Sequence, residues 1–183
     1  MQAYHNDPKI KAKYIARMKK HMAADELIHG IGWEDGKGCA VGCTLDRYNH
    51  VAYETELGIP ASIAYLEDGI FEGMSGERAK TFPLAFLEAV PVGVDLKMVM
   101  PRFMHWLLVD PVAGVINYAG NDNAVAEAIN NVAALFAEWI SGTKPSDERW
   151  VAASDSASDA ARDAWVAAWD RQANKLLELL QKA

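Results

Sequence analysis

Two cysteines, Cys39 and Cys43, stand four residues apart directly after the glycine-rich run Gly36-Lys37-Gly38. Asp46, His50 and Glu54 follow at spacings of three, four and four residues. On a continuous helix these five side chains share one broad face. Thiol, imidazole and carboxylate groups on one face suit attack by a thiolate, ligation of a metal, or binding of a small ion. Cys39 is expected in the first helical turn, where exposed amides favour a thiolate. It is therefore the preferred nucleophile, with His50 as candidate base. Eleven residues of straight helix rise roughly 16 Å, so a Cys39–His50 pair requires a break near Gly42. A Cys43–His50 contact is less remote, and another helix could bring His21, His29 or His105 to the thiol instead. Packed as small apolar side chains, the same thiols would do no chemistry.

Zinc accepts mixed sulfur and nitrogen ligands. A straight helix nevertheless holds Cys39 and His50 too far apart for one ion, and Cys-x3-Cys departs from the short cysteine knuckle. The spacing therefore assigns no metal and names no cofactor. Asp46, His50 and Glu54 offer an oxygen and nitrogen alternative, although Glu54 holding a charged His50 at the surface is the plainer reading. Gly30-x-Gly32 and Gly36-x-Gly38 could turn backbone amides toward a phosphate or carboxylate, with Lys37 adding charge. Neither segment matches a Walker loop or a dinucleotide fingerprint. The candidate ligand-binding set is Gly36, Lys37, Gly38, Cys43, Asp46 and Glu54. Arg102, His105, Trp106 and Asp110 make a second candidate patch on another helix.

Helices must position these groups. Apolar spacing predicts a helix from Pro8 to about residue 29, closed by the glycines of 30–38. A second helix is expected over 39–57. Gly58-Ile59-Pro60 closes it and opens a third, with Ile63, Leu66, Ile70 and Phe71 on its core side. Ser75 can cap a short helix, and Pro83 should begin another. Pro91-Val92-Gly93-Val94 reads as a turn, Asp95 as a cap, and Pro101 as a kink or a new start. Asp110-Pro111 ends that segment. A strand near 92–99 is the main alternative to an all-helical chain. Asn121-Asp122-Asn123 precedes a clear helix over 124–140. A break at 141–146 leads to a helix from Asp147 through Trp150. The last helix runs from about Ser156 to Gln181, with Trp165, Trp169, Gln172, Leu176 and Leu180 near one face and Ala161 and Ala168 beside it. The expected fold is all-α, a compact multi-helical orthogonal bundle of about seven or eight helices. Residues 1–145 form the expected core and 146–183 a C-terminal helical extension packed on it or at a dimer interface.

Composition narrows the function classes. The chain has 183 residues, 51% hydrophobic and 23% charged, an ordinary globular balance. It shows no apolar run long enough to span a membrane and no apolar signal core near Met1, so a cytoplasmic location is the default expectation. Two cysteines cannot build a disulfide framework. The formal charge is −7, yet residues 1–20 carry a net +5, with Lys9, Lys11, Lys13, Arg17, Lys19 and Lys20 against Asp7 alone. An acidic body argues against a broad nucleic-acid surface, leaving only this basic helix as a local contact for an anionic partner.

The run Gly36-Lys37-Gly38-Cys39-Ala40-Val41-Gly42-Cys43-Thr44-Leu45 resembles a segment of uncharacterised bacterial and phage-associated proteins. Leu57-Gly58-Ile59-Pro60, Leu66-Glu67-Asp68, Phe71-Glu72-Gly73 and Val90-Pro91-Val92-Gly93-Val94-Asp95-Leu96 are similar to the same kind of chain. The resemblance implies a coherent family fold and carries no activity with it. The functional expectation is a soluble helical interaction or small-anion-binding protein. Its C-terminal helix is expected either to seal the core or to pack against a second chain as a homodimer. The alternative is a thiol-dependent enzyme or hydrolase acting on a small anionic substrate.

Overall fold

A computed structural model describes residues 1–120, 123–154 and 169–183. They are all-α, with nine α-helices and one minimal hairpin among the described residues. None of these helices is long and apolar enough to cross a membrane. The chain forms two compact units, Met1–Lys97 with Ala173–Ala183, and Met98–Gln172.

The first unit opens with a left-handed turn at Tyr4, His5 and Asn6. Ala3 and Gly93 exchange backbone contacts there: Ala3 N donates to Val94 O at 2.9 Å, and Gly93 N to Ala3 O at 2.8 Å. Helix α1 spans Pro8–Ala23, capped by Asp7, which accepts from Lys9 N at 2.8 Å. Proline in the first turn loses no hydrogen bond, because that N–H has no helical partner. The helix ends six residues earlier than expected, at Ala23. The glycine-rich stretch then makes strands β1 (Trp33–Glu34) and β2 (Lys37–Gly38). Asp35 at φ 49° and Gly36 at φ 83° form the two-residue loop between them. Both positive angles match the primed turn that Asp-Gly favours.

The single helix expected over 39–57 is two helices, α2 (Ala40–Leu45) and α3 (Ala52–Leu57). Asp46, left-handed at φ 55°, terminates α2. Aspartate tolerates that conformation better than most residues. Helix α4 spans Ala61–Gly73 behind Pro60, as the Gly-Ile-Pro signal predicts. Helix α5 runs unbroken over Gly76–Ala89, so Pro83 lies inside it and does not start a new element. The missing amide costs one helical bond, and the buried proline ring offsets part of that cost by packing. Within this unit α1 packs on α5 and α2, and α4 packs on α2 and α5. Tyr4, Tyr14, Met18, Tyr53, Ile63 and Phe86 fill the core. Burying Met18, Ile63 or Phe86 contributes roughly 1.5–3 kcal/mol each.

No strand forms near 92–99 beyond an isolated bridge between Gln2 and Asp95. In the second unit, α6 (Val99–Val109) carries Pro101 in its first turn and stops before Asp110. It packs on α7 (Asn123–Ile140), which also contacts α8 (Asp147–Ser154). Phe103 and Ile129 are fully buried in this unit. Helix α9 is described over Trp169–Gln181. Gln172, Ala173, Leu176 and Leu180 are fully buried. Asn121 and Asp122, the start of the last helix at 156–168 with Ala161, Trp165 and Ala168, and the Trp169 side chain lie outside the described residues.

Candidate functional site

The five residues expected on one face part company at the α2–α3 break. Cys39 is the N-cap of α2, and its sulfur accepts from Gly42 N at 3.5 Å. Asp46 lies beside α1, where Oδ2 meets Arg17 Nε at 3.0 Å and Oδ1 meets His21 Nε2 at 2.9 Å. His50, in the turn before α3, donates from Nε2 to Asp68 Oδ2 at 2.9 Å. Glu54 accepts from Ala61 N at 2.9 Å and so supports the first turn of α4 with negative charge. The shared Asp46–His50–Glu54 face therefore does not exist.

Glycine has a packing role around the thiols. Cys39 N donates to Ile31 O at 2.8 Å, and Cys39 Sγ to Gly32 O at 3.5 Å. A Cβ on Gly42 would strike the Gly32 carbonyl and approach the Trp33 ring to 3.3 Å. The loop over residues 30–33 thus lies flush on the start of α2 because Gly42 leaves room. Gly38 N is also engaged, donating to Glu26 O at 3.0 Å. The amides of Gly38 and Cys39 are committed to backbone carbonyls, so they form no open cradle for an anion. Lys37 is exposed.

Both thiols are inaccessible, Cys39 at 1% and Cys43 at 0% exposure. Burial pushes Cys39 far above the ordinary thiol range, and the neighbouring Asp68 carboxylate adds to the shift. Burial likewise pushes Cys43 up to about 12, with the charges of Glu26 and Asp46 adding to it. Cys43 Sγ donates to Gly38 O at 3.4 Å and Glu26 O at 3.5 Å. These are protonated, packed thiols, whereas a nucleophile needs a depressed pKa and access. His50 is occupied by Asp68 rather than poised at either sulfur.

A different constellation forms where α4 meets the N-terminus of α2. Asp68 and Glu72, one turn apart on α4, each bring an oxygen close to Cys39 Sγ, and all three atoms lie within 4.8 Å of one another. Asp68 is 7% exposed. Its Oδ2 also accepts from Tyr48 OH at 3.3 Å, while its buried Oδ1 has no hydrogen-bond partner. The His50 ring stacks on Tyr65 with centroids 3.9 Å apart and meets the edge of Tyr48 at 4.8 Å. Desolvation and the Asp68 charge push the Tyr48 phenol up to about 12. Glu72 is exposed, and its Oε2 accepts from Gly30 N at 2.8 Å. The cluster is sulfur and carboxylate on the inside and carboxylate at the rim. Its chemistry suits a positively charged guest.

Sequence reasoning brought Cys39 and His50 to this cluster and missed Asp68, Glu72 and Tyr48. Asp68 carried a signal, because it falls between Ala64 and Phe71 on the apolar arc of α4. An acid on a buried helical arc needs partners. The other expected patch lies on α6. Asp110 Oδ1 there accepts from Val112 N at 3.0 Å and Ala113 N at 2.8 Å, which is turn-building work. Arg102 is exposed, and His105 and Trp106 are half-buried. The basic N-terminal helix also spends charge within the chain: Lys11 Nζ donates to Glu88 O at 2.8 Å and Val90 O at 2.7 Å, and Lys19 pairs with Glu88 at 3.2 Å. Comparison of the chain with family models, curated proteins and solved structures finds no match.

Proposed function

We propose that the junction of α2 and α4 is a binding site for a cation, and that the protein acts by binding rather than by thiol catalysis. The observation that carries this reading is the Asp68 carboxylate, buried to 7% exposure with one oxygen unpartnered, beside the exposed carboxylate of Glu72. A buried carboxylate is costly unless other groups support its charge. His50 and Tyr48 supply part of that support, and a cation entering past Glu72 would supply more. The anion reading is weaker, because two carboxylates repel a phosphate and the neighbouring amides are bonded already. The thiol-enzyme reading lacks an accessible, activated sulfur.

Thermal unfolding with Mg²⁺, Ca²⁺, Mn²⁺, Zn²⁺, a small alkylammonium and inorganic phosphate tests the proposal. A cation at one hundred times its Kd should stabilise by about 2.7 kcal/mol, and Glu72→Gln should weaken that effect. Stabilisation by phosphate with no response to any cation would reverse the reading.

A further inference from the structure

The next step rests on the cation reading and narrows it to one class of ion. We propose that Cys39 Sγ, Asp68 and Glu72 ligate a thiophilic divalent metal ion of the zinc class, with one coordination position left open toward solvent.

Four observations support the ligand set. First, the three donor atoms converge from two elements, the N-cap of α2 and a single face of α4, within a 4.8 Å spread. A tetrahedral ion with bonds of about 2.0–2.3 Å spaces its ligands roughly 3.3–3.8 Å apart, so a modest contraction closes the site. Second, Asp68 Oδ1 is buried and unpartnered, a free acceptor on a side chain already within reach of the other two donors. Third, each ligand is steadied by an outer hydrogen bond. Gly42 N donates to Cys39 Sγ, His50 and Tyr48 donate to Asp68 Oδ2, and Gly30 N donates to Glu72 Oε2. Such outer partners orient metal ligands and tune their basicity. Fourth, the rim ligand Glu72 is exposed while the other two are buried, which gives an ion a route inward.

Sulfur decides the class of metal. Calcium takes six to eight oxygen ligands and magnesium keeps an octahedral water shell, whereas thiolate with carboxylate suits zinc and its neighbours. Ligation is not a redox step. The Cys39 S–H bond breaks, its proton leaves to solvent, and the sulfur electron pair forms the bond to the metal. Three protein ligands with a fourth position open match the pattern of reactive rather than purely structural zinc sites.

The test uses the full chain, freed of metal by chelation and kept reduced with a phosphine. Co²⁺ is titrated in and followed by optical absorption, Zn²⁺ is then added in competition, and Ca²⁺ and Mg²⁺ are measured by calorimetry. The expected result is a sulfur-to-cobalt charge-transfer band that saturates at a single equivalent and is abolished by Zn²⁺. Cys39→Ser should remove the band and Cys43→Ser should keep it. Glu72→Gln, at an exposed position, should leave the fold intact and weaken Co²⁺ binding at least roughly 10-fold, the scale seen when metal-site partners are lost. Circular dichroism of Cys39→Ser separates loss of the ligand from loss of the fold, and Glu72→Gln keeps the test decisive if that variant unfolds. Binding of Ca²⁺, Mg²⁺ or Co²⁺ without a sulfur band, or a band that follows Cys43, overturns this inference while leaving the cation site standing. Failure of every cation to bind overturns both.

Discussion

His50 Nε2 lies 2.9 Å from Asp68 Oδ2, and both side chains are more than nine-tenths buried. The imidazole therefore serves a carboxylate on α4, and through it ties the α2–α3 turn to the helix that carries the candidate ligands. Replacing His50 with alanine removes a hydrogen bond to a charged group and a stacking surface for Tyr65. Urea unfolding should show a loss of about 1.5–3 kcal/mol for the bond alone. In a double-mutant cycle with Asp68→Asn, the two losses should fail to add. Additive losses would show that the pair is not coupled.

The thiols should be nearly inert in the folded chain. Burial raises both, Cys43 up to about 12. Alkylation by iodoacetamide at pH 8 should therefore be far slower than in denaturant. The same shift has a consequence for stability. An unfolded thiol loses its proton near 9.0, and the folded Cys43 thiol only near 12. Between those values the folded chain holds the extra proton, so stability is intact below pH 9 and declines as pH rises toward 12. The slope is about 1.4 kcal/mol per pH unit for each such group. Denaturant midpoints across that range check the sign, and a flat profile would contradict the buried-thiol assignment.

Glu67 is fully buried beside Tyr53, whose hydroxyl donates to its Oε2 at 2.8 Å, while Oε1 has no hydrogen-bond partner. Burial holds its carboxyl well above the ordinary 4.5, with the nearby Asp68 charge pushing the same way. The folded state therefore keeps a proton that the unfolded state releases, and stability is highest below the unfolded pKa and falls as pH rises above it. Glu67→Gln removes that dependence. Its unfolding midpoint should match the parent near pH 4 and exceed it at pH 7 to 8, by up to about 1.4 kcal/mol for each pH unit between the two pKa values. A variant less stable than the parent at pH 8 would argue against a neutral Glu67.

Gly42→Ala tests the seating of the 30–33 loop on α2. The added methyl meets the Gly32 carbonyl and the Trp33 ring, with backbone on one side and a half-buried indole on the other. Overpacking of this kind costs roughly 1–3 kcal/mol, and it should also raise the accessibility of Cys39 to a thiol reagent. Unchanged stability and unchanged labelling would mean that the loop yields freely.

Much of the architecture was legible before any coordinates. Pro8, Gly58-Ile59-Pro60 and Asp110-Pro111 mark real helix boundaries because proline and glycine act on the backbone directly, whatever the tertiary setting. Leu176 and Leu180 read correctly as a packed face from spacing alone. The α2–α3 break was not legible, because it depends on Asp46 adopting a left-handed conformation that no glycine or proline announces. Its position is fixed by long-range pairing with Arg17 and His21, which sequence spacing cannot register. The Asp35-Gly36 hairpin was written in the local code and overlooked among neighbouring glycines. Pro83 misled for the opposite reason, since burial of its ring within α5 outweighed the local preference to begin a helix. The site followed the same division. Cys39 stands out by residue type, whereas Asp68 and Glu72 look like ordinary acids of a helix until α4 is placed against α2.

The first unit joins Met1–Lys97 to Ala173–Ala183, two stretches separated by the whole of the second unit. On the ribosome, a nascent chain that has emerged only through residue 172 still lacks Leu176 and Leu180, both of which end fully buried. The first unit therefore cannot bury its full apolar face until the segment beyond the second unit has been made. Long-range closure of that sort slows folding and leaves apolar surface exposed until Ala173–Ala183 docks.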